Sequence, residues 1–291
     1  MLAIAGFLVV TASVLIGYMW HGGVVSLLWQ PSELVIILGA AIGAFVASAT
    51  KYSFKQCVKN ISQVFFPRAI TREVYLQTLT LLFALFSKMH REGIISIEQD
   101  IEKPEASPLF KNYPLVASDM QACHFIGDTM RTYLTTGKAN ELGELMDADI
   151  HSIQRELKVA PSSIGHMADS LPGMGIVAAV LGVVLTMSKL DSPPNELGMY
   201  IGAALLGTFL GILFCYGFIG PMAAKLENVE TERIVYLSSV REAVVAALRG
   251  VSPMVALEYG RRSIPPAFRP TFSEMEDSLK GVAADTQPKA A

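Results

Sequence analysis

Apolar and polar positions divide this chain into blocks of sharply different texture. Residues 2–20 are apolar and uncharged, and a second apolar run at 34–49 lies between Glu33 and Lys51. Gly22, Gly23 and Pro31 punctuate the connection between these two runs. Two more runs, 173–188 and 197–224, flank a short polar break at 189–196, and neither contains Asp, Glu, Lys, Arg or His. A hydrocarbon core of about 30 Å needs roughly 20 helical residues at about 1.5 Å rise each. The pattern therefore predicts an all-α integral membrane protein with four transmembrane helices arranged two and two.

The stretch between the pairs is hydrophilic, and its apolar positions recur at helical spacing. Leu76, Leu79, Phe83, Phe86 and Met89 predict an amphipathic helix over 71–90 that Gly93 ends. A loop with three prolines covers 103–114. Further helices are predicted over 115–134, with a stop near Gly137, and over 140–158. Residues 160–163, with Pro161 and two serines, read as a break before the third span. After Pro221, Leu226, Val229, Leu237, Val240, Val244 and Leu248 mark another amphipathic helix that stops near Gly250. The composition of the last dozen residues predicts disorder. The resulting segments are 1–50 (spans one and two), 51–168 (a helical cytoplasmic domain), 169–222 (spans three and four) and 223–291 (an amphipathic helix and tail).

Composition agrees with the membrane assignment: 52% of residues are hydrophobic and only 17% charged, against roughly 25% in soluble domains. A net charge of −3 argues against a nucleic-acid partner. Of the 23 Lys and Arg, 13 fall within 51–158 and nine after Pro221, while the connections between paired spans hold only Lys189. The positive-inside rule thus predicts a cytoplasmic central segment and cytoplasmic N- and C-termini. Cys57, Cys123 and Cys215 are isolated and lack metal-ligand spacing, so reduced structural roles are expected. No phosphate-cradling loop, zinc-protease motif or nucleophile motif is present, and no enzymatic activity or cofactor is expected.

Specific motifs then narrow the field. The stretches DSLPGMGIVAAVLGVV at 169–184, GTFLGILFCYGFIGP at 207–221 and QPSELVII at 30–37 resemble the MotA family, the channel subunit of the flagellar stator. SIEQDIEKP at 96–104 and EYGRR at 258–262 fit as well, so the likeness spans nearly the whole chain. It implies a proton-conducting stator in the bacterial inner membrane, lipid-embedded and homo-oligomeric, with five copies around two MotB subunits. MotB would supply a single span with an intramembrane aspartate and a peptidoglycan-binding domain, and FliG would be the rotor partner. A pair of spans without a titratable group is consistent with a proton site contributed by another chain.

The resemblance also assigns roles to residues that have ordinary readings. Pro172 suits the first turn of a helix capped by Asp169 or Ser170, and Pro221 suits a bend; in the family this pair couples proton binding to movement of the cytoplasmic domain. Thr208 can bond its own helix carbonyl or face the MotB aspartate. Tyr216 is an interfacial aromatic or a pore-side contact. Ala179 replaces a threonine of sodium-driven relatives and adds no oxygen ligand, which implies proton coupling. Glu98 matches a carboxylate that meets FliG. The basic residue expected eight positions earlier is His90 here, with Arg91 next to it, and either can carry that charge. Gly39 and Gly43 form a GxxxG pattern suited to close helix packing. Two rival readings are a TolQ/ExbB-type energiser, which has three spans, and a passive membrane scaffold.

Overall fold

The computed structural model describes residues 2–285, and these form helices with no strand among them. In chain order the helices are α1 (Leu2–Trp20), α2 (Val25–Leu28), α3 (Pro31–Ser48), α4 (Lys51–Phe65) and α5 (Arg72–Glu92). After a 3-10 turn at Ile94–Ile97 come α6 (Glu98–Glu102), α7 (Pro108–Lys111), α8 (Pro114–Ala117) and α9 (Met120–Thr136). The long α10 (Ala139–Met187) and α11 (Pro194–Phe214) precede a π-helical turn at Cys215–Ile219. The remainder is α12 (Gly220–Leu248), α13 (Pro253–Ser263) and α14 (Phe272–Asp285). Four helical stretches are long and apolar enough to cross a membrane: Leu2–Trp20, Val25–Ser48, and the apolar parts of Ala139–Met187 and Pro194–Leu248.

Several boundaries follow from local chemistry. Thr71 Oγ1 accepts from the Val74 amide at the start of α5, and Asp119 accepts from the Ala122 amide (3.2 Å) at the start of α9. Gly93, Gly137 and Gly250 all have positive φ, which suits glycine, so the predicted stops at these points are realised. The expected break at 160–163 is absent. α10 runs through both Pro161 and Pro172 without interruption. Its buried positions Ala160, Ile164, Ala168, Leu171, Gly175 and Ala178 form a continuous three-to-four stripe, and tertiary packing along it outweighs the local proline signal. Pro172 consequently lies in mid-helix, not in a capped first turn.

The chain forms two compact units. The first comprises residues 1–68 and 156–230, and holds α1 to α4, the later part of α10, α11, the π-turn and the start of α12. Ile37 and Ala41 of α3 pack with Ala168, Leu171 and Ala178 of α10 and with Leu210 and Cys215. Residues 51–68 and 156–168, hydrophilic by sequence, belong to this unit because α4 buries Cys57 and Val64 against Ala160, Ile164 and Leu226. α1 buries no residue, and Leu2, Leu8, Val9 and Trp20 are all exposed, as expected of a lipid-facing helix.

The second unit comprises, among the described residues, 69–155 and 231–285. Its core includes Leu81, Leu82, Leu85 and Phe86 of α5, Ile126 and Met130 of α9, and Tyr236 and Leu237 of α12. The Tyr236 hydroxyl is 2.9 Å from Thr78 Oγ1, and its ring meets Tyr75 edge-on at 5.6 Å. Arg233 forms a double hydrogen bond with Asp119, one arm at 2.8 Å. Where sequence marked only a tail after residue 250, α13 and α14 pack onto α5; Leu257, Ile264 and Met275 are buried there. The expected disorder of the last dozen residues fails for the part inside α14, and the rest lies outside the described residues.

Candidate functional site

The α10–α11 crossing is built from small residues. A Cβ on Gly175 would lie 2.7 Å from the Gly207 carbonyl and 3.3 Å from the Thr208 Cα. One on Gly211 would lie 2.6 Å from the Leu171 carbonyl, and one on Gly182 would lie 2.7 Å from the Ala204 Cβ. The 2.6 and 2.7 Å distances are too short for a side chain, so glycine at these positions sets how closely the helices approach. The GxxxG pair on α3 behaves differently: a Cβ at Gly39 or Gly43 meets nothing within 4 Å.

Thr208 lies on this seam and is half-buried. Among the described residues its hydroxyl has no hydrogen-bond partner, whereas Thr186 donates to its own helix at the Gly182 carbonyl (2.8 Å). Ala179 faces the same region; its amide nitrogen is 2.9 Å from where a Cβ on Gly207 would stand. The fold therefore brings Ala179 and Thr208 to one crossing.

At the far end of α11 the helix widens. The Gly220 amide donates to the Cys215 carbonyl, a bond five residues long, and a Cβ on Gly220 would approach that carbonyl to 2.8 Å. Pro221 follows directly and has no N–H with which to continue the ladder. Pro172 similarly leaves the Ala168 carbonyl without its usual donor. An open cavity of about 400 Å³ adjoins both breaks, lined by Ala168, Asp169, Cys215, Tyr216 and Gly220 among others. Tyr216 is 74% exposed beside it.

In the second unit, His90 and Arg91 occupy the last turn of α5, and Glu98 opens α6 after the 3-10 turn. All three are exposed. The corner is fixed from beneath by buried Asp100, which accepts from Lys88 Nζ (2.8 Å) and Ser107 Oγ (2.6 Å). Ser96 Oγ adds a bond to the Gly93 carbonyl (2.7 Å).

This geometry can be set beside known proteins. The "Motility protein A N-terminal" family profile matches residues 4–93, and that of the MotA/TolQ/ExbB proton channel family matches residues 119–238. Motility protein A of Salmonella typhimurium is 39% identical over 289 residues, covering 99% of this chain and 98% of its own. Motility protein A of Escherichia coli is 38% identical over 284 residues, covering 97% and 96%. This chain belongs to the motility protein A family. The fold agrees: the structure of C. jejuni MotAB superposes with a TM-score of 0.76 over 91% of this chain and 95% of that one, at 20% identity. The flagellar MotAB stator complex from Bacillus subtilis gives 0.75 over 92% and 98%, also at 20% identity. Like its family, the chain is a multi-pass inner-membrane protein of the proton-channel group.

Two features of this chain show only in its folded form. One is Gly260 in EYGRR, whose missing Cβ would come within 2.8 Å of the Ala243 Cβ and 3.0 Å of the Ser239 carbonyl. That motif seats α13 on α12, a purpose only tertiary structure reveals. The other is Glu33, buried against the α10–α11 seam, where it had seemed merely to open the second span. A charged residue directly abutting an apolar run is the available signal.

Proposed function

We propose that this chain is a stator subunit of the bacterial flagellar motor and that, with a MotB-type single-span partner, it forms a proton-conducting channel turning protonmotive force into torque. The observation that carries this reading is the α10–α11 hairpin. It has glycine-set packing, an unpartnered Thr208 hydroxyl, and helix ladders broken at Pro172 and Pro221 beside a cavity.

In this reading several copies surround the partner's span, five around two by family likeness, and the hairpin forms the pore wall. The partner's carboxylate loads a proton opposite Thr208. Its neutralisation changes the preferred packing of the seam, and α10 and α12 yield at their prolines. Ala179 contributes a methyl where a sodium site would need an oxygen, so the proton is the coupling ion and no other cofactor takes part. The second unit lies in the cytoplasm, with both termini, and presents Glu98 with Arg91 and His90 to the rotor protein FliG. Charges at such a surface act through steering and register more than raw affinity. The match of the motility protein A N-terminal profile to residues 4–93 favours a stator over a TolQ/ExbB-type energiser.

The test is complementation of a stator-deficient strain with this chain and its single-span partner. Swimming should return in sodium-free medium and stop on adding a protonophore. Motility that needs sodium would overturn the proton assignment, and absence of motility in both media would overturn the stator assignment.

A further inference from the structure

The helices of the α10–α11 hairpin carry no acid or base along their apolar runs, yet the fold supplies one from elsewhere in the same chain. The first turn of α3 lies on the hairpin, and Glu33 from that turn reaches the glycine seam. Glu33 is 7% exposed, and its Oε2 has no hydrogen-bond partner among the described residues. Oε2 stands 2.9 Å from where a Cβ on Gly207 would be, so the bare glycine is what leaves it room. The Ala179 amide nitrogen and the Ala178 Cβ border the same space, at 2.9 and 3.0 Å from that point. Thr208 is the next residue along α11.

Ordinary explanations for a glutamate here do not hold. A glutamate in a helix's first turn commonly bonds an end amide, but Oε2 makes no such bond and Gln30 provides no side-chain cap. Nor does Glu33 have an ion-pair partner among the described residues. α10 has no acid or base between Gly173 and Met187, and α3 has none after Glu33. α11 has only Glu196 in its first turn and the Tyr200 phenol, seven residues before Gly207. A buried, partnerless carboxyl oxygen is costly, and inside a membrane such groups mark ion and proton pathways. A desolvated metal cation needs about six oxygens, far more than this seam offers, whereas a proton needs one acceptor.

We propose that Glu33 is a proton-carrying carboxyl that this chain contributes to the conduction path, in addition to any carboxylate of the partner. As a carboxylate it accepts one proton at Oε2 from a water on the entry side and becomes the neutral acid. It then releases that proton to a water or carboxylate further along and returns to its starting charge. The assignment rests on the proton-channel reading above and gives the pore wall a titrating residue of its own.

The test uses the complex with the single-span partner in lipid vesicles, with proton flux and infrared difference spectra recorded between two pH values. Glu33→Gln keeps the size of the side chain but not the acid; Glu33→Asp keeps the acid on a shorter arm. The expected result is a carboxyl band that shifts in heavy water, disappears in Glu33→Gln and persists in Glu33→Asp. Flux should be mostly lost in the first variant and partly kept in the second. Flux in Glu33→Gln equal to the unsubstituted complex, or absence of any exchangeable band from Glu33, would overturn the proposal. If the unsubstituted complex does not conduct at all, the channel reading falls instead. The infrared band then decides alone: an exchangeable Glu33 band sustains proton binding there, and its absence overturns it.

Discussion

Glu258 shows how one residue can tie a motif to a fold. Its carboxylate accepts from Arg261 Nε and Nη2, both at 2.7 Å, and from Arg262 Nε at 2.6 Å. The Arg261 hydrogen bond leads in holding Glu258 down at about 2, from an ordinary value of 4.5. A carboxyl depressed on folding stabilises the folded state above its unfolded value, and that stability is lost as pH falls towards the folded value. Thermal unfolding of the full chain followed by circular dichroism should therefore lose a few kcal/mol between roughly pH 4.5 and pH 2. Glu258→Gln should remove that contribution and flatten the profile over this interval. Glu98, exposed at its corner, belongs to a different class: Glu98→Lys should impair swimming while membrane insertion and unfolding temperature stay unchanged. Normal swimming in that variant would remove it from the rotor contact. Among single residues, sequence gives the type and spacing at the motif positions, Glu33 of QPSELVII included, but only the packing of α3 against Gly207 shows where the Glu33 carboxyl ends.

Glycine separates two kinds of element that look alike in sequence. Gly39 and Gly43 satisfy the GxxxG pattern, but a Cβ on either would meet nothing within 4 Å among the described residues, whereas one on Gly207 or Gly211 would run into backbone. Gly207→Ala should destabilise the chain in detergent by about 1–3 kcal/mol through overpacking. Gly39→Ala should be neutral or slightly stabilising, because alanine is the better helix former. Equal effects in a thermal-unfolding assay would contradict the packing described. The prolines invite the opposite experiment. Pro172→Ala restores an amide for the Ala168 carbonyl, so the helix should gain stability while swimming is lost. The four spans and the α5, α9 and α12 helices were readable from apolar spacing alone. The continuity of α10 was not, because Pro161 is a strong local signal and the buried stripe that overrides it depends on partners distant in sequence.

At the scale of the whole molecule, composition disclosed the membrane class, and the charge asymmetry predicts an orientation. They did not disclose the division into units. Residues 51–68 and 156–168 look hydrophilic, yet they pack with the apolar helices, and α13 and α14 complete the second unit where a tail was expected. Each unit has its own core, and α10 and α12 contribute residues to both. The orientation predicts that a cysteine placed in the 21–30 connection reacts with a membrane-impermeant thiol reagent in intact cells, while Cys57 and Cys123 stay protected. The central claim is that this chain forms the wall of a proton channel completed by a single-span partner, and its most direct test is proton flux into vesicles holding the two together. Flux should appear only with both chains present, persist without sodium, and be lost when the partner's intramembrane carboxylate is neutralised. Equal flux from this chain alone, or none from the pair, would contradict it.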